Sequence, residues 1–385
     1  MSAAKSVILG VTVTLLCIGM VAVFSAGSGL ASGPASMGAL ALRHGIWMLL
    51  ALVALLVGCL VDYHALLKYS RMLLVFSFAA LVAVLLFGTA VNGARRWIRL
   101  GPMSLQPSEL FKVVMVLYMA DFLSRGTERI REFFNGFLPA LLVVGAGFTL
   151  IILEPDFGSA VLIGGVVATM MYVAGVRMSH ALPMLIGAVP LLGYLVYAKT
   201  YRLMRFLIFL DPWSDPQGRG YHIIQSLIAF GSGGLAGVGP GAGSQKQGFL
   251  PEAIGDFILP VLGEEWGFVG CLVIIGLYLV LLGAGFRICA AAVDKPGSLF
   301  ALGITLTLGF QALVNIGVVT SMLPTKGLPL PFISAGGSSM AALGFGMGTL
   351  INIASHVQAQ EQPTMLGAEP IDTFEADSSS PVAAM

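Results

Sequence analysis

Lys246-Gln247-Gly248-Phe249-Leu250-Pro251-Glu252-Ala253-Ile254-Gly255-Asp256-Phe257-Ile258-Leu259-Pro260-Val261-Leu262-Gly263-Glu264-Glu265-Trp266-Gly267-Phe268 leads into a stretch with no charge from Val269 to Phe286. Five ionisable groups thus stand at the mouth of a segment long enough to cross a bilayer. The rest of the chain is close to an oil: 57% of its residues are hydrophobic and 10% are charged, against about 25% charged in an ordinary soluble domain. The mean hydropathy is +0.93. Carboxylates near hydrocarbon are costly, so a clustered set marks a candidate functional site.

Working outward, ten apolar segments fall near residues 6–27, 45–61, 72–90, 109–124, 137–153, 159–176, 181–198, 258–286, 298–321 and 340–355. Several approach the ~20 residues a helix needs to cross ~30 Å of hydrocarbon. Transmembrane β-strands would alternate over about ten residues instead of running continuously apolar. The expected fold is therefore an all-α polytopic membrane protein of about ten transmembrane helices, with a large extracytoplasmic loop between the seventh and eighth. The domain expected over 1–355 holds that outer loop at about 199–256, and 356–385 is expected to be an acidic, disordered cytoplasmic tail. The tail carries five acids and no Lys or Arg from Gln358 onward. The first apolar run exceeds the 7–15 residues of a signal-peptide core and is read as a retained span.

Other function classes lose support. The net charge of +1 suggests no nucleic-acid partner. Cys17, Cys59, Cys271 and Cys289 lie in or beside apolar runs without metal-ligand spacing, and the five histidines are scattered, so a zinc site has little support. No internal repeat of the kind transporters show is visible. The glycine run from Gly237 to Ser244 lacks the Gly-Lys-Ser/Thr of a nucleotide-binding loop. It reads either as a flexible turn or as backbone amides that approach a diphosphate beside Lys246.

An even number of spans puts both termini on one side. Basic residues divide nine inside against ten outside with the N-terminus in, which decides nothing alone. The inner ones sit in short turns, whereas the outer ones concentrate in long Gly/Pro/Trp-rich loops. Both termini are therefore expected in the cytoplasm, with the outer cations serving an anionic ligand. Asn92 to Ile98 brings Arg95, Arg96 and Trp97, which serve equally as an interfacial anchor or for bidentate phosphate binding. Glu109 and Lys112, three apart in a span, read as a buried, mutually neutralising ion pair. Glu154-Pro155-Asp156 breaks the backbone between two spans, and the stiff loop Leu323 to Ser339 holds Lys326 and Ser338. Tyr221 to Phe230 is apolar but too short to span, and reads as an interfacial or re-entrant helix. Glu252 and Asp256, four apart, would share one face of any helical turn. Glu264 and Glu265 suit the start of a helix.

At these motifs the chain resembles the SEDS family (shape, elongation, division and sporulation) over about residues 6 to 355. The resemblance is carried by Asn92–Ile98, Gln106–Glu109, Glu154–Gly158, Asp211–Trp213, Phe249–Phe257, Glu264–Phe268 and Pro324–Ser339, in family order. Pro324-Thr325-Lys326-Gly327 is similar to division-type members, since elongation-type members usually lack the Thr-Lys pair. Departures are Glu154 where Gln is common, Ala335 where an aromatic is common, and Pro240 within the glycine run.

What the resemblance implies is a ten-helix peptidoglycan glycosyltransferase of the bacterial cytoplasmic membrane. Such an enzyme polymerises lipid II into glycan strands outside the membrane during septal wall synthesis and releases undecaprenyl diphosphate. The family's essential loop aspartate maps onto Asp256. Asp256 is then the expected base, with Glu252 tuning it. Lys246 leads the expected diphosphate holders, followed by Arg202, Arg205, Arg96 and Lys326, with Ser338 among the substrate-binding residues. A divalent cation, magnesium or manganese, could share that duty, though no ligand set in the sequence identifies its place. The expected partners are lipid II, the undecaprenyl-linked glycan, membrane lipid, a class B penicillin-binding transpeptidase and other division proteins. A lipid II flippase, an elongation-type polymerase and a non-catalytic scaffold are the alternatives.

Overall fold

A computed structural model describes residues 1–30, 34–91, 94–101, 103–126, 130–250, 252–325 and 327–361. Asn92, Gly93, Pro251, Lys326 and the acidic tail from residue 362 lie outside the described residues. The helices are α1 (Ser2–Leu30), α2 (Pro34–Leu60), α3 (Tyr63–Lys68), α4 (Ser70–Phe87), α5 (Pro107–Ser124), α6 (Leu138–Leu153) and α7 (Phe157–Ala174). They continue as α8 (Met178–Tyr197), α9 (Thr200–Leu210), α10 (Tyr221–Gly233), α11 (Ile258–Ala291), α12 (Lys295–Val319) and α13 (Gly337–Glu361). Each of the ten apolar segments of the sequence corresponds to one long helix.

Among the described residues, nine helices are long and apolar enough to cross a membrane. The tenth, α5, carries Glu109, Lys112 and Asp121 among its residues and is excluded on charge rather than length. Its charges are tolerated because α5 is a core helix. Phe111, Met115, Met119, Ala120 and Leu123 are fully buried, and α4, α7 and α12 pack around it. Such ionisable groups are expected to face protein rather than lipid.

The most extensive helix pair is α2 with α13. Between apolar helices in a bilayer, close approach of small residues replaces the hydrophobic driving force. Here Gly344 and Gly348, spaced as small-xxx-small, meet α2 so closely that a Cβ on Gly348 would lie 2.1 Å from the Leu55 carbonyl oxygen. Around this pair, α1, α11 and α12 complete the core.

Two regions depart from the sequence reading. The segment before α5 is a three-stranded antiparallel sheet, β1 (Thr89–Val91), β2 (Ala94–Leu100) and β3 (Met103–Leu105), with Arg95 opposite Ala90 and Arg99 opposite Ser104. Gln358 to Glu361, assigned to the tail on composition, continue α13. The short apolar run at Tyr221 is helix α10, which lays Ile223, Ile224 and Ala229 into the core against α11. Its buried Ser226 hydroxyl donates to the Val319 carbonyl.

Candidate active site

The loops that leave these helices enclose a cavity of about 910 Å³. Its walls include Arg96, Trp97 and Arg99 of β2, Arg43 of α2, Arg205 of α9 and His222 of α10. Glu252 and Asp256 come from the turn before α11, and Gly327, Pro329, Ser338 and Ser339 from the loop into α13. Residues far apart in sequence thus converge: both candidate catalytic carboxylates share one cavity with Arg96, Arg205 and Ser338.

Residues 252–257 are a succession of turns, not the helical start expected. Glu252 has φ +56°, and its carbonyl accepts from the amides of Gly255 and Phe257. The turn is fixed from two sides. Asn315 of α12 donates from Nδ2 to the Asp256 carbonyl at 2.8 Å and to the Leu328 carbonyl at 2.8 Å. The amide of Ala335 donates to the Ile254 carbonyl at 2.9 Å. One loop therefore cannot move without the other.

Burial raises the Asp256 pKa, and the neighbouring carboxylates of Glu252 and Asp156 raise it further. Arg205 and Arg96 pull it down, and the balance stands at about 7. That is the range a general base needs at neutral pH. His222, which packs its ring 5.6 Å from that of Phe257, is held below the ordinary imidazole value by burial.

A second layer of polar groups supports the cavity. Gln106 donates from Nε2 to Asp156 Oδ2 at 3.1 Å, while its amide donates to Ser338 Oγ at 3.3 Å. Asp156 also caps α7 by accepting from the Ser159 amide. Arg96 donates from Nε to the Glu154 carbonyl at 2.8 Å and from Nη2 to the Pro155 carbonyl. The half-buried Arg96 is thereby locked over the break between α6 and α7. Below, Lys112 Nζ lies 2.8 Å from Glu109 Oε2 and donates to Gln311 Oε1 at 3.0 Å. Gln311 in turn donates to Ser339 Oγ and to the Pro329 carbonyl. Glu109 itself lines the cavity, so this ion pair forms part of its floor.

Two expected diphosphate holders are placed elsewhere. Lys246 does not line the cavity: its ammonium is 3% exposed, 2.7 Å from Glu265 Oε1, and also donates to Ser25 Oγ and the Gly241 carbonyl. Three partners exhaust its three donors. Arg202 is buried beside the main cavity, in a small pocket with Arg96, Arg205 and Asp156, and donates to the Leu195 carbonyl. Lys326 lies outside the described residues.

The glycine run is likewise committed to the protein. At Gly267 (φ +69°) α11 kinks, and the carbonyls of Glu264 and Glu265 turn outward to accept from the amides of Val238 and Gly239. The Glu264 carboxylate accepts from the amides of Ser244 and Gln245 and from the Ser244 hydroxyl. Those amides are therefore spent on holding the loop to α11 and are not turned to a diphosphate. Arg43 and Arg99 were anticipated only collectively, among the cations expected to serve an anionic ligand, and Asp156 only as part of the break between two spans. His222 is the titratable cavity residue that sequence reasoning did not weigh for the site.

These features define a polytopic helical membrane protein whose connecting segments form a cationic cavity around one tuned carboxylate. The chain belongs to the FtsW/RodA/SpoVE family, described as cell cycle proteins, whose model matches residues 5–359. It is similar to the probable peptidoglycan glycosyltransferase FtsW of Geobacter metallireducens, 42% identical over 91% of this chain and 95% of that one. Among solved structures it is similar to a chain of a peptidoglycan synthase complex described as coordinating polymerization and crosslinking. That match has a TM-score of 0.75 at 30% identity and covers 91% of this chain and 97% of that one. It is also similar to the rod shape determining protein RodA of Thermus thermophilus, with a TM-score of 0.67 at 29% identity, covering 90% and 96%.

Proposed function

We propose that this chain polymerises lipid II into glycan strands at the outer face of the bacterial cytoplasmic membrane, with both termini in the cytoplasm, and that it acts in division. The observation that carries the reading is Asp256, poised near pH 7 in the same cavity as Arg96 and Arg205. The acceptor sugar 4-hydroxyl is a poor nucleophile, so Asp256 takes its proton as the oxygen attacks the donor anomeric carbon. The bond from that carbon to the diphosphate breaks, and the lipid diphosphate leaves with the electron pair. Arg96, Arg205 and the cavity's Arg43 and Arg99 supply fixed positive charge for it. A single displacement inverts the anomeric centre without a covalent intermediate. With Asp256 serving as the base, Glu252 is the cavity carboxylate left to a magnesium or manganese ion, which would supply further charge to the departing diphosphate.

Polymerisation is favoured over lipid transport by the course of α5. Below the Glu109–Lys112 pair, Val113, Met115, Val116, Leu117, Met119 and Ala120 are all buried and apolar before Asp121. Val113 to Ala120 is eight residues, roughly 12 Å of helix, whereas a translocation path needs polar groups through the midplane. Division rather than elongation is supported by the FtsW naming of the Geobacter relative and by the Thr325-Lys326 pair of the sequence. A class B penicillin-binding transpeptidase is the proposed partner, supported by the likeness to a synthase complex that couples polymerization to crosslinking.

The test is purified protein with labelled lipid II. Glycan strands that disappear in Asp256→Asn support the enzyme. Translocation without strands would move the assignment to a flippase, and neither activity to a scaffold.

A further inference from the structure

Two helices, α12 and α13, connect the cavity to a second cluster of titratable groups. From Ser338 to His356 along α13 is roughly 27 Å at 1.5 Å per residue, and α12 separates Asp294 from Asn315 by roughly 31 Å. At that far end stand Asp62 between α2 and α3, His64 in the first turn of α3, Asp294 before α12, and His356 near the end of α13. One ligand-type atom each from Asp62, His64 and His356 lies within 4.8 Å of the others. His64 Nε2 is 3.6 Å from Asp294 Oδ2, and His356 Nε2 is 3.6 Å from Asp62 Oδ1. The family's chemistry at the cavity uses none of them.

Helix capping explains part of the arrangement. Asp62 Oδ1 accepts from the His64 amide, and Asp294 Oδ1 accepts from the Gly297 amide and from the Tyr63 hydroxyl. Capping does not explain the histidines. His356 Nδ1 is 3.0 Å from the Asn352 carbonyl oxygen, which can only accept. Nδ1 therefore carries a proton, and Nε2 is the ring nitrogen turned toward Asp62. His64 Nδ1 lies 2.9 Å from Asp62 Oδ1, which orients its ring in the same manner. A ring nitrogen held by a carbonyl or carboxylate while the other faces its neighbours is the outer-shell pattern of metal-ligating histidine. The 3.6 Å separations are too long for good hydrogen bonds. They are near the ~3.4 Å edge of a tetrahedron with metal bonds of about 2.1 Å. Two imidazoles with carboxylates are donors suited to zinc-like ions rather than to calcium.

We propose that Asp62, His64 and His356 form a binding site for one divalent transition-metal ion of the zinc class, with Asp294 flanking His64, at the end of the bundle away from the cavity. The ion would tie the α2–α3 turn to the end of α13. The side chains are partly exposed, His64 by 51%, so the ion has access from solvent.

The experiment uses the full chain in detergent without a histidine tag, and cobalt(II) as the probe. The expected result is one cobalt per chain, with visible d–d absorption of a low-coordinate site, and displacement by zinc. His64→Gln with His356→Gln should weaken binding at least tenfold, while His180→Ala leaves it unchanged. Glu252→Gln with Asp256→Asn must also retain the absorption, which separates this site from any ion in the cavity. Zinc should raise the melting temperature of the parent and not of the double-histidine variant. Cobalt binding that survives the double-histidine change, or its absence from the parent at millimolar cobalt, overturns the proposal.

Discussion

Asn315 Nδ2 donates to the main-chain carbonyl of Asp256 at 2.8 Å, so the position of the candidate base is set by a side chain on a different helix. The same amide nitrogen reaches Leu328, which binds the turn before α11 to the loop before α13. Asn315→Ala removes both donations and leaves two carbonyls without them, at a cost of about 1–3 kcal/mol. Displacement of a reacting group by about 1 Å can cost roughly a hundredfold in rate. The expected outcome is a modest loss of melting temperature with turnover down ten- to a hundredfold and KM little changed. Asn315→Asp, which cannot donate, should behave alike. Full turnover in both variants would show that the Asp256 turn positions itself.

The acidic limb of the rate profile follows from the groups around Asp256. A base must be deprotonated, so kcat/KM, which reports the free enzyme, should fall about tenfold per pH unit below about 7. Glu252 raises the Asp256 pKa and Arg205 lowers it. Glu252→Gln should therefore move the limb to lower pH, and Arg205→Ala should move it to higher pH. Opposite displacements from two residues lining one cavity are hard to produce by general damage. Limbs that move together would assign the titration to another group.

How legible this molecule was in its sequence depended on the physics involved. The long helices were readable because hydrocarbon demands continuous apolar runs, and α5 was readable despite its charges because Glu109 and Lys112 are spaced to neutralise each other. The convergence of Glu252, Asp256, Arg96 and Arg205 was anticipated from motifs, not from spacing. The role of Lys246 was misjudged because a lysine beside glycines and acids reads alike whether its partner is a ligand or Glu265. Only the kink at Gly267, which no local signal separates from an ordinary helical glycine, turns Glu264 and Glu265 toward the loop. The sheet over Thr89–Leu105 escaped because β1 and β3 are only three residues long and the arginines of β2 read as a binding loop.

The pairing of Lys246 with Glu265 can be tested as a stability question. Both are nearly fully buried at 2.7 Å. Lys246→Ala leaves a buried carboxylate uncompensated, which typically costs 3–5 kcal/mol. Replacing both with apolar residues of similar volume, Lys246→Met with Glu265→Met, is expected to recover most of the lost melting temperature. The doubly substituted protein should bind lipid II nearly as the parent does. A double variant that melts like the parent but has lost substrate affinity would return Lys246 to the diphosphate.

Glu154 supplies the remaining prediction, because it is fully buried and neither carboxylate oxygen has a hydrogen-bond partner among the described residues. Burial raises its pKa, Asp156 raises it further, Arg96 opposes them, and the result is about 8 against an ordinary 4.5. The folded protein therefore binds more protons at this site than the unfolded chain does. Stability contributed here is full below about pH 4.5 and is lost as pH rises toward about 8, at about 1.4 kcal/mol per pH unit before screening and relaxation. Glu154→Gln puts a neutral amide of the same shape in place of a carboxyl that is mostly protonated at neutral pH. Melting temperatures measured from pH 5 to 8 should fall with pH in the parent and much less in Glu154→Gln, with the variant the more stable of the two at pH 8. Parallel curves would mean that the Glu154 carboxylate is ionised and compensated after all.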